Sequence, residues 1–102
     1  MTYQFHPAAA SEHLESIAFY ESRLAGLGAD YIAEFEVAMV RVCATPKNFP
    51  LDSPPDIRRI VMQRFPFNVL YREAGNTVQV LAVAHHRRRP GYWLGRVAVK
   101  GK

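Results

Sequence analysis

The sequence predicts an α+β fold: an N-terminal strand, an antiparallel two-helix hairpin, then a three-strand antiparallel meander that shares one sheet with the first strand. Three features predict it. Apolar residues recur at helical spacing from Ala10 to Leu24 and again from Ile32 to Val42; a proline-rich stretch from Pro46 to Pro55 breaks the pattern; β-branched and aromatic runs then fill Ile57 to His85. With 102 residues and 49% hydrophobic side chains, the chain 1–102 is expected to form a single domain around one modest core.

Thr2 to Phe5 reads as a short strand, with Tyr3 and Phe5 two apart and therefore on one face. Pro7 stops it and suits the first turn of a helix, where its missing N–H would have had no partner. Ala10, Leu14, Ile17 and Leu24, with Tyr20 beside them, form the apolar stripe of helix one, and Gly26 and Gly28 mark its end. Helix two takes Ile32, Phe35, Met39 and Val42 as its stripe, leaves Tyr31, Glu34, Ala38 and Arg41 to the flanks, and ends at Thr45-Pro46. So short a linker makes the two helices an antiparallel hairpin.

Residues 46–56 hold Pro46, Pro50, Pro54 and Pro55 and read as an ordered loop. Ile57 to Gln63, Phe67 to Glu73 and Thr77 to His85 read as three strands, separated by Arg64-Phe65-Pro66 and Ala74-Gly75-Asn76. The last strand, Val78 to Ala84, is apolar almost throughout rather than alternating, which predicts a central strand covered on both faces. The helical hairpin covers one face; the C-terminal tail, a partner or both cover the other.

Charge is distributed unevenly. Residues 1–56 carry 3 basic and 8 acidic side chains, a net of −5, whereas residues 57–102 carry 10 basic side chains and only Glu73 acidic, a net of +9. The second half suits an acidic protein partner or a phosphate backbone. No apolar run approaches the roughly 20 residues of a membrane helix and no secretory signal pattern opens the chain, so a soluble cytoplasmic protein is expected. The lone Cys43 excludes an internal disulfide and reads as a small buried hydrophobe.

The residues that could carry chemistry cluster near the end. Arg87-Arg88-Arg89 reads either as a target-binding patch or as the solvated basic end of a buried strand, and Tyr92 and Trp93 either as interface anchors or as aromatics folded back over the sheet. His85 and His86 are neighbours on a strand, point to opposite faces and cannot chelate one ion together, so no metal is expected; His85 is read as capping the strand. His6 and His13 are read as surface groups. Nothing in the sequence calls for a cofactor.

Three local patterns, in order, resemble the RelE/ParE toxin superfamily over nearly the whole chain. They are Phe19-Tyr20-Glu21 followed by Ala33-Glu34-Phe35-Glu36; Arg58-Arg59-Ile60 leading through Arg64-Phe65-Pro66-Phe67 to Val69-Leu70-Tyr71-Arg72; and Val83-Ala84-His85-His86-Arg87-Arg88-Arg89-Pro90-Gly91-Tyr92-Trp93. The resemblance implies the toxin of a type II toxin–antitoxin system, neutralised in a hetero-oligomer by a cognate antitoxin that is acidic and partly disordered. It also implies two mechanisms on one fold. In the RelE-like branch the toxin cleaves mRNA on the ribosome, with cations stabilising the phosphate; Arg59, Arg88 and Tyr92 would fill catalytic positions here. Asn68 stands where that branch has an arginine, and Val61 at or near the place of a lysine. The ParE-like branch poisons DNA gyrase by binding, and the departures favour it, with Arg87, Arg88, Arg89, Tyr92 and Trp93 as target-binding residues. A non-toxic nucleic-acid-binding module is the reading from another class.

Overall fold

In the computed structural model, which describes residues 1–97, the first strand and the first helix meet at one residue. β1 (Thr2–Phe5) ends at His6, whose imidazole Nδ1 accepts the Ala8 N–H at 3.0 Å and so caps α1 (Pro7–Arg23), with Pro7 in its first turn. His6 is therefore a helix cap, not a spectator on the surface. Lys100 and Lys102, counted in the basic half, lie outside the described residues.

A three-residue link, Leu24 to Gly26, joins α1 to α2 (Leu27–Ala44). Gly26 takes φ of 91°, open to glycine at little strain. Both Gly26 and Gly28 donate their N–H groups to the Glu21 carboxylate at 3.0–3.1 Å, which satisfies two amides at the start of α2. A Cβ on Gly28 would lie 2.9 Å from Glu21 Oε1 and 3.0 Å from the Ile17 carbonyl oxygen, so only glycine permits this helix-to-helix approach. The predicted helix boundary is thus right, but its two glycines do different work.

Beyond a 3-10 turn at Pro46–Asn48 come β2 (Leu51–Ser53), β3 (Ile57–Val61), β4 (Phe67–Ala74) and β5 (Thr77–His85), then a second 3-10 turn at Leu94–Arg96. Among the described residues the sheet has five strands in the order β1-β5-β4-β3-β2, with β1 parallel to β5 and the other pairs antiparallel. The expected α+β arrangement is present, and the proline-rich loop adds to it a short edge strand, β2. Proline is tolerated there because an edge needs amide donors on one side only. Tyr71 ties that loop down by donating its hydroxyl to the Pro46 carbonyl at 2.6 Å.

β5 is interior, as its apolar sequence requires, and a β-bulge opposite Leu70 and Tyr71 turns Leu81 and Ala82 to the same face. On the helix side, Tyr31, Phe35, Met39 and Val42 of α2 pack on Val69, Tyr71, Val78, Val80 and Val83. Each such side chain contributes roughly 1.5–3 kcal/mol by leaving water. The actual stripes are rotated from those predicted. Tyr31 and Ala38 are buried while Ile32 is exposed, and on α1 Leu14 is 66% exposed and Leu24 also lies in solvent. Cys43 is half-buried against the same core.

The place intended for Leu14 is taken by its neighbour His13, which also corrects the reading of His13 as a surface group. Its ring lies tilted against Phe35 at 4.3 Å and Phe5 at 5.1 Å, and its Nδ1 is buried without a hydrogen-bond partner among the described residues. Burial holds its pKa below the ordinary 6.5, with Glu36 opposing weakly. The unfolded chain therefore binds a proton that the folded one resists, so stability is full above pH 6.5 and falls as pH drops through the window beneath it. We expect the unfolding midpoint in urea to fall between pH 7 and pH 5.5, and His13→Phe, which keeps the aromatic cluster, to flatten that slope. An equal slope in the variant would assign the effect to other groups.

Candidate functional site

β5 hands the chain to a tight turn that begins with His85. The His85 Nδ1 accepts the Arg87 N–H at 3.0 Å and its carbonyl accepts the Arg88 N–H at 2.9 Å, so His85 caps the strand as expected. The imidazole lies edge-on to Phe67 on the helix side of the sheet, 5.1 Å between ring centres. His86 turns to the other face, where its Nε2 lies 3.2 Å from Asn68 Oδ1. Burial, then the charges of Arg87 and His86, keep His85 below the usual imidazole range. The two imidazoles do not converge on one point.

Past the turn the chain folds back over the outer face of the sheet. Trp93, 3% exposed, packs on Ile57, Leu70, Leu81, Ala82 and Ala84 and covers the second face of β5. Of the two readings kept open for Trp93, the packed one holds, and Trp93 is not an exposed contact. Tyr92 is half-buried beside it, its ring under the Arg88 guanidinium at 3.8 Å and near that of Arg96 at 5.1 Å. Arg87, Arg88 and Arg89 are all exposed, and among the described residues none of them is in an ion pair.

What fixes this tail is Glu12 on α1. Its carboxylate accepts the Tyr92 hydroxyl at 2.6 Å, two bonds from the Arg96 guanidinium at 2.7 and 2.9 Å, and the Val83 backbone N–H at 3.0 Å. Arg96 also donates to the Leu81 carbonyl at 3.0 Å. Burial alone would raise the Glu12 pKa, but the bonds from Arg96, Tyr92 and Val83 outweigh it and hold the carboxyl below its usual 4.5. The Tyr92 hydroxyl is pushed well above its ordinary value, first by burial and then by Glu12, so it stays protonated at neutral pH. Sequence reasoning missed this cluster: Glu12 and Arg96 are 84 positions apart, and neither belongs to a recognisable motif.

Arg88 and Tyr92, two of the three residues that the nuclease reading assigns, line one cleft with Asp52 and Arg89. Arg59 lies 3.5 Å from Asp52 at the β2 edge. Val61 and Asn68, the two departures noted in the sequence, are direct cross-strand partners, so both gaps fall at one spot on the sheet. The cleft between Asn68, His86, Arg89 and Trp93 has a volume of about 150 Å³, below the roughly 300 Å³ at which pockets enclose a small ligand. A more open, more apolar groove of about 290 Å³ runs between α1 and the end of β5, with Phe19, Tyr20, Phe67 and Val83 inside and Arg88 on its rim.

Residues 3–90 match the family described as the ParE toxin of the type II toxin–antitoxin system parDE. The chain belongs to the ParE toxin family. Among solved structures, a chain described as "Chromosomal ParDE TA system from P. aeruginosa" superposes with a TM-score of 0.67 at 18% identity, covering 83% of this chain and 95% of that one. At that identity the likeness speaks for the fold. No curated protein matches the chain. Among the described residues, no helix of this ParE-family toxin is long and apolar enough to cross a membrane.

Removing the Glu12 carboxylate leaves a guanidinium and a strand amide without their partner, which costs about 3 kcal/mol for a buried pair. Glu12→Ala should therefore lower the unfolding free energy, read from urea denaturation, by that amount. It should also red-shift the emission of Trp93, the only tryptophan, as the tail lifts. In the wild type the same shift should come on as pH falls through the depressed Glu12 value below 4.5. Unchanged emission in Glu12→Ala would show that the tail is held by Trp93 alone.

Proposed function

We propose that this toxin acts by binding DNA gyrase, and that a cognate antitoxin neutralises it. The observation that carries the first part is the distribution of arginine. A ribosome-dependent nuclease needs several cations aimed at one phosphate, and loss of one such contact lowers the rate on the order of 10²–10³-fold. Here Val61 and Asn68 leave the sheet without two of them, Arg59 is turned to Asp52, and the Tyr92 hydroxyl is engaged by Glu12. By contrast Arg87, Arg88 and Arg89 form an exposed basic turn on a rigid base, which is the geometry of a docking surface.

The antitoxin reading is supported by the groove along α1. Its apolar lining of Phe19, Phe67 and Val83 lies beside His85 and Arg88, a combination that fits a segment carrying apolar anchors and carboxylates. Phe19 is 52% exposed in the isolated chain, so a partner that covers it would gain buried area at once.

Two measurements test the two parts. Purified toxin should inhibit gyrase supercoiling, or trap gyrase on cleaved DNA, and leave mRNA in a translating extract intact. The variant Arg87→Ala/Arg88→Ala/Arg89→Ala should lose at least about tenfold in potency, while Trp93 emission stays at its folded value. Codon-positioned mRNA cuts that vanish in Arg88→Ala, with gyrase untouched, would instead establish the nuclease. Expressing the chain with and without the product of its neighbouring gene should give growth in the first case and arrest in the second. Phe19→Glu should restore arrest in the presence of that product. Equal growth in both cases would count against a toxin altogether.

A further inference from the structure

The outward face of α2 carries an apolar ridge unrelated to the tail or the α1 groove. Ala33, Val37, Val40 and Ala44 fall within about 60° of arc at 3.6 residues per turn. All four are exposed, Val37 at 61% and Val40 at 69%. A shallow hollow lies on each side of the ridge, one formed with Met1 and Cys43, the other with Ile60 and Val61. Such a ridge between hollows can mesh with another helix of the same shape.

Its sequence says which helix. The ridge reads alike in both directions: alanine, four positions to valine, three to valine, four to alanine, symmetric about the bond between Ala38 and Met39. A two-fold axis through that point lays α2 antiparallel on a second copy, with Val37 of each chain level with Val40 of the other and Ala33 level with Ala44. The alanines at the ends permit close approach, toward the short end of the 8–10 Å range of helix axes.

The charges follow the same symmetry. Asp30 and Lys47 are paired within the chain with Arg64 and Glu73; Glu34 and Glu36 on the first half of α2, whose internal partners are uncharged, and Arg41 on the second keep their net charge. An antiparallel copy sets each acidic half against the other's basic half and opposes the two helix dipoles. Glu34 and Arg41 border the same hollow and so lie on one flank, which a two-fold axis keeps on one side. Arg41 of one copy then comes level with position 36 of the other, two residues or about 3 Å of rise from Glu34. A parallel copy would bring like charges together instead.

We propose that the exposed face of α2, Ala33 to Ala44, is a homodimer interface in which a second copy of this chain packs antiparallel about a two-fold axis. Sedimentation equilibrium on the purified full chain across the micromolar range should show a monomer giving way to a species of twice the mass. Val37→Glu/Val40→Glu should weaken that association at least about tenfold and Arg41→Glu should weaken it too, each with an unchanged circular dichroism spectrum. Leu14→Glu, an equally exposed site on α1, should not. If the double variant loses its fold, cross-linking decides: in a Cys43→Ser background, a mixture of Val37→Cys and Val40→Cys chains should form disulfide dimers faster than either chain alone. A wild-type chain that stays monomeric throughout, a dimer indifferent to the α2 changes, or association lost equally in Leu14→Glu would overturn the proposal. A monomer whose α2 variants fail only to bind the antitoxin would give this face to that partner.

Discussion

Much of this structure depends on where β1 stops. It pairs with β5 only as far as Val80, because Pro7 turns the chain into α1, and β5 runs on for five more residues with β4 on one side and, among the described residues, no strand on the other. An edge of that kind, buried among helices and tail, would leave amide and carbonyl groups without partners. Glu12 supplies the missing acceptor for the Val83 N–H, and Arg96, held by the same carboxylate, supplies the donor for the Leu81 carbonyl. One ion pair therefore stands in for about one residue pair of strand. By accepting the Tyr92 hydroxyl it also fixes the surface on which Arg88 rests.

The same device recurs along the helices and explains the uneven charge of the chain. Glu21 caps Gly26 and Gly28, Glu34 accepts the Gln63 and Arg64 amides at 2.6 and 2.7 Å, and Glu36 accepts the Tyr3 hydroxyl at 3.0 Å. Carboxylates suit this work because a charged acceptor bonds backbone N–H groups more strongly than a neutral one. The acidic half of the sequence is thus largely spent on its own fold, whereas among the described residues the arginines of the turn after β5 pair with no carboxylate, Arg88 resting only on the Tyr92 ring. The exposed basic turn is thus what the second half's net charge leaves on the surface for a partner.

The succession of elements was legible because it rests on local signals. Pro7 sets a helix start, Gly26 a helix end, and the apolar run of Val78 to Ala84 an interior strand. The helical faces were less so. His13 and Leu14 are adjacent, and hydrophobicity alone favours Leu14, but the ring of His13 fits among Phe5, Tyr31 and Phe35 while Leu14 is left in solvent. Of the site, the basic turn and Tyr92 could be read from composition and from family resemblance. Glu12 and Arg96 could not, since their pairing exists only once the tail has crossed the sheet. Nor could the role of Trp93 be settled in advance, because an aromatic next to arginines looks the same in sequence whether it faces outward or in.

The parallel pairing of Thr2–Phe5 with Thr77–Val80 has a consequence for how the protein comes into being. The earlier strand waits for a neighbour some 75 positions later, and at ordinary rates of synthesis that is an interval on the order of 4–15 s. The helical hairpin and the β3–β4 pair can form within that interval from local contacts, but sheet closure across the whole chain cannot. Until Val80 has been made, the sheet is therefore incomplete. The turn that bears Arg87 to Arg89 acquires its base later still, once Trp93 and Arg96 have crossed the sheet, so the basic surface cannot precede the closed fold.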